Sequence, residues 1–170
     1  MTEDAGPVVL GLGTNRAWGS LDCFALIDEA VGALDKVLSG MKRASLYETE
    51  PQGVRDQDRF LNTAVSGFYA GAPEELLALI HQIEAQFGRD RSQERRWGER
   101  SLDIDILLFG NLTLSTADLV IPHPRLEERQ FALEPLLELL PAACSPLSGV
   151  PYREICDQLP DQGVRKRNLE

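Results

Sequence analysis

Aromatic residues are scarce in this sequence, 6% of 170 residues, so aliphatic side chains must build most of its core. Cysteine is scarcer: Cys23, Cys144 and Cys156 cannot all pair with one another, and their spacings hold no CxxC-type zinc pair. They read as free thiols of a reducing compartment, and a cytoplasmic location is expected. Basic residues are outnumbered, 17 against 27 acidic ones, for a net charge of −10. That balance repels nucleic acid and anionic lipid, so neither is an expected partner. No apolar run approaches the ~20 residues that cross a bilayer, and the start, Met1-Thr2-Glu3-Asp4, is acidic where a secretory signal begins basic. Phosphate-binding fingerprints are missing too. There is no GxxxxGK[ST], and Gly11-Leu12-Gly13-Thr14-Asn15 fails GxGxxG because residue 16 is not glycine. A bound nucleotide would therefore be held by side chains and metals.

What is present is the material of one ordinary domain, with 43% hydrophobic residues and length enough to bury roughly 70% of the unfolded surface. Val8 to Gly13 is a short apolar run closed by glycines, a buried strand. Phe24, Ile27, Val31, Leu34 and Leu38 recur at helical steps, predicting a helix capped near Ser20 or Asp22 and ended at Gly40. Arg43 to Thr49 reads as a strand, Glu50 to Asp58 as a loop, and Phe60 to Tyr69 as a further strand. Pro73-Glu74-Glu75 opens a second helix with a stripe of Leu76, Ile80, Ile83 and Phe87, terminated by Gly88. Arg89 to Glu99 is polar loop, and Ser101 to Phe109 a strand that turns at Gly110-Asn111 into a short returning strand near Leu112–Leu114. A helix is expected from Glu127 to Leu140, interrupted at Pro135, with a frayed tail from Asp161. The order predicts a single domain, residues 1–170 with a core of about 8–160. Its class is α+β, a ferredoxin-like βαββαβ sandwich with helices on one face of a mostly antiparallel sheet.

The chemistry concentrates at Arg100-Ser101-Leu102-Asp103-Ile104-Asp105-Ile106. Alternation in a strand puts Asp103 and Asp105 on one face, roughly 6.6 Å apart along the chain. A carboxylate pair at that spacing can hold hard cations, magnesium above all, and two ions could share it. A solvated strand face is the competing reading, but aspartate is disfavoured in strands and two adjacent on one face repel. Arg89, Arg91, Arg95, Arg96 and Arg100 fall within twelve residues beside the pair. Guanidinium forks match phosphate oxygens, and joined to the carboxylates they point to a magnesium–polyphosphate complex. Gly11 and Gly13 either let a ligand approach the strand end or serve packing. Glu84 either anchors an arginine or lies on a solvated boundary. His123, between Pro122 and Pro124, is held in a stiff turn, and His81 reads as a helix-surface residue.

The stretch from Arg96-Trp97-Gly98 through Asp103-Ile104-Asp105-Ile106-Leu107-Leu108 resembles the signature of the 6-hydroxymethyl-7,8-dihydropterin pyrophosphokinase family of folate biosynthesis. Leu12-Gly13-Thr14-Asn15 is similar to the family's opening motif. Tyr47 to Gly53 with Asp56 to Asn62 resembles its pterin-side loop and strand, and Ile83-Glu84, Gly88-Arg89, Pro122-His123-Pro124-Arg125 and Arg129-Gln130-Phe131 follow in the family's order. The resemblance runs from about residue 8 to about 141 and implies a ferredoxin-like fold. It also implies transfer of pyrophosphate from ATP to the pterin alcohol, with release of AMP. The implied site has two Mg²⁺ ions on Asp103 and Asp105, and phosphate contacts from Arg89, Arg100 and His123. Arg129 would close over both substrates. The pterin would stack between Phe60 and Phe131, bond to Asn62, and touch the backbone around Thr49 and Gln52. A monomer is implied as well. Glu99 stands where the family usually has proline, Phe60 where tyrosine is also common, and His81 where glutamine is frequent. Two other readings use the same residues: a different magnesium-dependent nucleotidyl or phosphoryl transferase, and a non-catalytic ferredoxin-like ligand-binding module.

Overall fold

A computed structural model describes residues 6–49, 60–88 and 102–167. Strand β1 (Val8–Thr14) leads to helix α1 (Cys23–Asp35), and β2 (Ser39–Arg43), β3 (Tyr47–Thr49) and β4 (Phe60–Phe68) follow. Helix α2 (Pro73–Gln86) precedes β5 (Asp103–Phe109), then the short strands β6 (Leu114–Ser115) and β7 (Val120–Ile121). A 3₁₀ turn (Leu126–Glu128), α3 (Gln130–Leu139), α4 (Tyr152–Asp157) and β8 (Val164–Lys166) complete the chain. The main sheet runs β5-β1-β4-β3-β8, with β2 also on β4, and its pairings are antiparallel. This is the expected ferredoxin-like plan, enlarged at its C-terminal end.

Local chemistry explains where the elements stop. Asp22 is the cap of α1: its carboxylate accepts the Ala25 N–H at 2.8 Å. The helix ends at Lys36 rather than Gly40. Gly40, at φ +60°, lies inside β2 where the register with β4 shifts, and a left-handed glycine is what such a bulge requires. The strand expected over Arg43–Thr49 is divided, because the Thr63 hydroxyl reaches the carbonyls of Ala44 (3.1 Å) and Ser45 (3.0 Å) between β2 and β3. Helix α2 begins at Pro73 and is closed by Gly88 at φ +83°. The returning strand after Gly110 does not fold back on β5; β6 pairs with β7 instead. Pro135 sits inside a continuous α3. It forfeits one helical hydrogen bond, which the burial of Leu133, Leu136 and Leu137 against the sheet outweighs.

Two corrections concern the C-terminal part. The segment expected to fray is a strand, β8, paired in register with β3. Helices also cover both faces of the sheet rather than one. Leu26, Ile27, Val31, Leu34, Leu76 and Ile80 of α1 and α2 pack with Val8, Leu10 and Leu12 on one side. Leu133, Leu136 and Leu137 of α3 and Tyr152 and Cys156 of α4 pack with Val9, Ala64 and Leu107 on the other. The three cysteines are free thiols, as expected. Among the described residues, no helix is long and apolar enough to cross a membrane.

Candidate active site

The cleft lies on the α3 side of the sheet, and its floor follows from strand register. Tyr47 pairs with Asn62, Asn62 with Gly13, and Gly13 with Asp103, forming one row across β3, β4, β1 and β5. The next row runs from Ala64 through Gly11 to Asp105. Asp103 and Asp105 therefore share a face, and both line the cleft. Leu102, Ile104 and Ile106 are buried in the opposite core. Two strand spacings, about 10 Å, separate Asn62 from Asp103. Only glycine lies between them in that row. A Cβ on Gly13 would come 2.9 Å from Asn62 Oδ1, and one on Gly11 would come 3.2 Å from Leu107 Cδ1. Both glycines therefore let side chains of neighbouring strands pack closely over β1, at the floor of the cleft. Their two-residue spacing matches that of the aspartates, and this was the available sequence signal.

The roof comes from the segment after β7 and from the start of α3. His123, Leu126, Arg129, Phe131 and Ala132 line the cleft opposite Gly11, Gly13, Asn62, Asp103 and Asp105. The His123 N–H donates to the Leu107 carbonyl at 3.0 Å, tying the turn to β5. His123 Nδ1 accepts the Arg125 N–H at 3.1 Å, and Nε2 lies 3.8 Å from Asp105 Oδ1. Burial, aided by the Arg129 charge, pushes the His123 pKa down to about 4. The ring is therefore neutral at pH 7, and the bond at Nδ1 places its proton on Nε2, where it is a donor facing the cleft. Burial also lowers the Arg129 pKa, against the upward pull of Asp105 and Asp103. Its guanidinium lies 5.4 Å over the Phe131 ring, a cation–π contact that fixes both side chains.

Asn62 is buried and donates through Nδ2 to Thr49 Oγ1 at 2.9 Å. That bond leaves Oδ1 as the amide's acceptor. Phe60 pairs opposite Thr49 at the start of β4, two residues before Asn62 and so on the same face of the strand. Arg89, Arg100 and Gln52 lie outside the described residues. Glu84, left open between two readings, is 1% exposed, which removes the solvated boundary. Its Oε2 accepts the Ile104 N–H at 3.0 Å. Ile104 stands between the two aspartates on a strand that, among the described residues, pairs with β1 alone in the sheet, so a buried carboxylate from α2 holds the backbone that aims them. Nothing in the composition around Glu84 signalled this contact across 20 residues.

Among the described residues no three His, Cys, Asp or Glu side chains gather as a metal cage. Two carboxylates nevertheless fit magnesium, which binds through one or two of them and completes its shell with phosphate and water.

Comparison with known proteins agrees with this geometry. The family model for 7,8-dihydro-6-hydroxymethylpterin-pyrophosphokinase matches residues 9–141. A Methylorubrum extorquens 2-amino-4-hydroxy-6-hydroxymethyldihydropteridine pyrophosphokinase is 38% identical over 159 residues, covering 92% of this chain and 96% of that protein. The Bacillus subtilis protein of the same name is 50% identical over 98 residues, and that match spans 58% of either chain. A solved Plasmodium falciparum HPPK-DHPS chain superposes with a TM-score of 0.71 at 15% identity, covering 91% of this chain and 44% of that one. The structural likeness shows the fold; the matched sequence, containing every cleft residue named above, shows that the chain belongs to the 7,8-dihydro-6-hydroxymethylpterin-pyrophosphokinase family.

Proposed function

We propose that the chain transfers the pyrophosphoryl group of ATP to the hydroxymethyl group of 6-hydroxymethyl-7,8-dihydropterin, giving AMP and the pterin diphosphate. The observation that carries this reading is the placement of a carboxylate pair and an amide at opposite ends of one glycine-floored cleft. In this reading Asn62 and Phe131 mark the pterin end. A flat heterocycle with a polar edge suits an aromatic face and an amide acceptor, and Thr49 holds that amide in orientation. Asp103 and Asp105 mark the phosphate end and would hold two Mg²⁺ ions, which would supply positive charge to offset that of the phosphates. Arg129 and the Nε2–H of His123 lie beside the pair and donate to phosphate oxygens, and Arg89 and Arg100 are assigned the same task.

The alcohol oxygen forms a bond to the β-phosphorus while the bond from that phosphorus to the α,β-bridging oxygen breaks, and AMP leaves with the bridging oxygen. The alcohol's proton passes to solvent. Such a transfer needs alignment and charge neutralisation more than a strong base, which matches a cleft whose one histidine is a neutral donor. Three free thiols support action in a reducing cytoplasm, and a monomer is what the family resemblance implies.

The test is product analysis with Mg²⁺, ATP and the reduced pterin alcohol. AMP and pterin diphosphate in equal amounts are expected. Release of ADP, or AMP formation indifferent to the pterin, overturns the reading.

A further inference from the structure

Helix α3 and strand β3 approach one another like the two sides of a wedge. Phe131 and Glu138 are seven residues apart on α3, hence on one face and about 10 Å apart. Tyr47 and Thr49 are two residues apart on β3, hence on one face as well. At the far end of the wedge the Glu138 carboxylate closes the gap. Oε1 accepts the Ser45 N–H at 2.9 Å and the Ser45 hydroxyl at 2.7 Å. Oε2 accepts the Tyr47 hydroxyl at 2.6 Å, and Lys166 of β8 stands 3.9 Å from the same oxygen. At the near end Phe131 lines the cleft opposite Asn62, whose amide is held by Thr49.

We propose that Glu138 is a positioning residue for the pterin. Its carboxylate bridges Ser45 and Tyr47 and so fixes the separation between Phe131 on α3 and the Thr49–Asn62 pair on the sheet. This inference rests on the pterin end of the cleft as assigned above. Both oxygens are engaged by donors from one short segment, so the span between helix and strand is set by the length of the glutamate side chain. A displacement at the closed end is carried to Phe131 by a helix two turns long, and to Thr49 by one step of strand. The carboxylate pair lies on β5, beyond β4 and β1 from β3 and outside the lever, while Arg129, in contact with Phe131, is the phosphate-side group that moves with the helix.

The experiment measures KM separately for pterin and for Mg-ATP in Glu138→Ala, Glu138→Gln, Glu138→Asp and Tyr47→Phe, beside Leu34→Ala as a destabilised control on the opposite face. Misplacement by about 1 Å can cost up to 10²-fold, so Glu138→Ala is expected to raise the pterin KM about tenfold and the ATP KM, through Arg129 alone, by no more than about threefold. Glutamine keeps the reach and can bond all three groups, so it should restore the pterin KM to within about threefold. Aspartate keeps the charge but not the reach, and should behave like alanine. Should Glu138→Ala fail to fold, Tyr47→Phe, which deletes one bond of the three, reads the same effect at about threefold. Leu34→Ala should lower Tm with both KM values unchanged. An unchanged pterin KM in Tyr47→Phe and the folded Glu138 variants, a parallel rise in both KM values, or aspartate outperforming glutamine overturns the inference. Wild-type protein without pterin-dependent AMP release instead overturns the assignment of the cleft.

Discussion

The two faces of the sheet are built from the same strands and do different work. On the α1–α2 face, Val8, Leu10, Leu12, Ile104 and Ile106 meet two helices in a mainly aliphatic layer in which Glu84 of α2 is buried. On the α3–α4 face the layer holds for half its extent, through Val9, Ala64, Leu107 and Leu133, and then gives way to Gly11, Gly13, Asn62, Asp103 and Asp105. A strand alternates its side chains, so one stretch such as Asp103 to Ile106 can serve both faces at once. The difference teaches that stability and chemistry are separated here by side of the sheet rather than by region of the chain. Substitution at one residue and at its neighbour should then give opposite phenotypes.

The sharpest contrast is Asp103→Ala or Asp105→Ala. Loss of magnesium-dependent turnover by about 10³-fold is expected, since metal charge stabilisation is worth several kcal/mol, with Tm held or raised as two like charges become one. Steady-state AMP release and a thermal melt measure both. Leu34→Ala, fully buried in the opposite layer, should cost about 2–5 kcal/mol of stability while kcat of the folded fraction stays near wild type. Equal losses of activity from these two variants would erase the distinction between faces. Glu84→Ala tests the joint between them: the stranded Ile104 N–H should cost about 1–3 kcal/mol, with a rise in the Mg²⁺ concentration needed for half activity. Gly13→Ala should raise the pterin KM about tenfold for a stability change below about 1 kcal/mol, because the new methyl meets the Asn62 side chain rather than backbone.

The smallest effect is a pH dependence at the back of the wedge. Burial raises the Glu138 pKa, but the bonds from Tyr47 and Ser45 outweigh it and leave a net depression. A carboxyl depressed in the folded state contributes stability above its unfolded pKa and loses it as pH falls through the folded one. The Tm gap between wild type and Glu138→Gln should therefore be fully present at neutral pH and narrow in the acid range below about 4.5. A gap that widens on acidification would contradict that sign.

Much of this was legible in the chain. Apolar periodicity located α1, α2, β1 and β4, and the spacing of Asp103 and Asp105 placed both acids on one face because strand alternation is local. His123 and Arg129 line the same cleft. What escaped was long-range. Glu84 stayed open between an arginine anchor and a solvated boundary because one of its partners is a backbone N–H on a distant strand, which no side-chain pattern encodes. Strand β8, only three residues long, takes its stability from pairing with β3 rather than from its own composition. The α3–α4 layer on the second face was missed for a related reason. Pro135 reads as a breaker, and only the packing beneath it shows that one lost bond is tolerated.

The flanks of the sheet carry one more implication. A bare strand edge is a template on which another chain's backbone can crystallise into aggregate. Here β8 covers β3. Strand β2 presents Lys42, and Arg43 in an ion pair with Asp28 at 2.8 Å. On the outer side of β5, the Ile104 amide is already occupied by Glu84. The carboxylate that steadies the acid pair thus also occupies an outward-facing amide with which a passing polypeptide could otherwise pair.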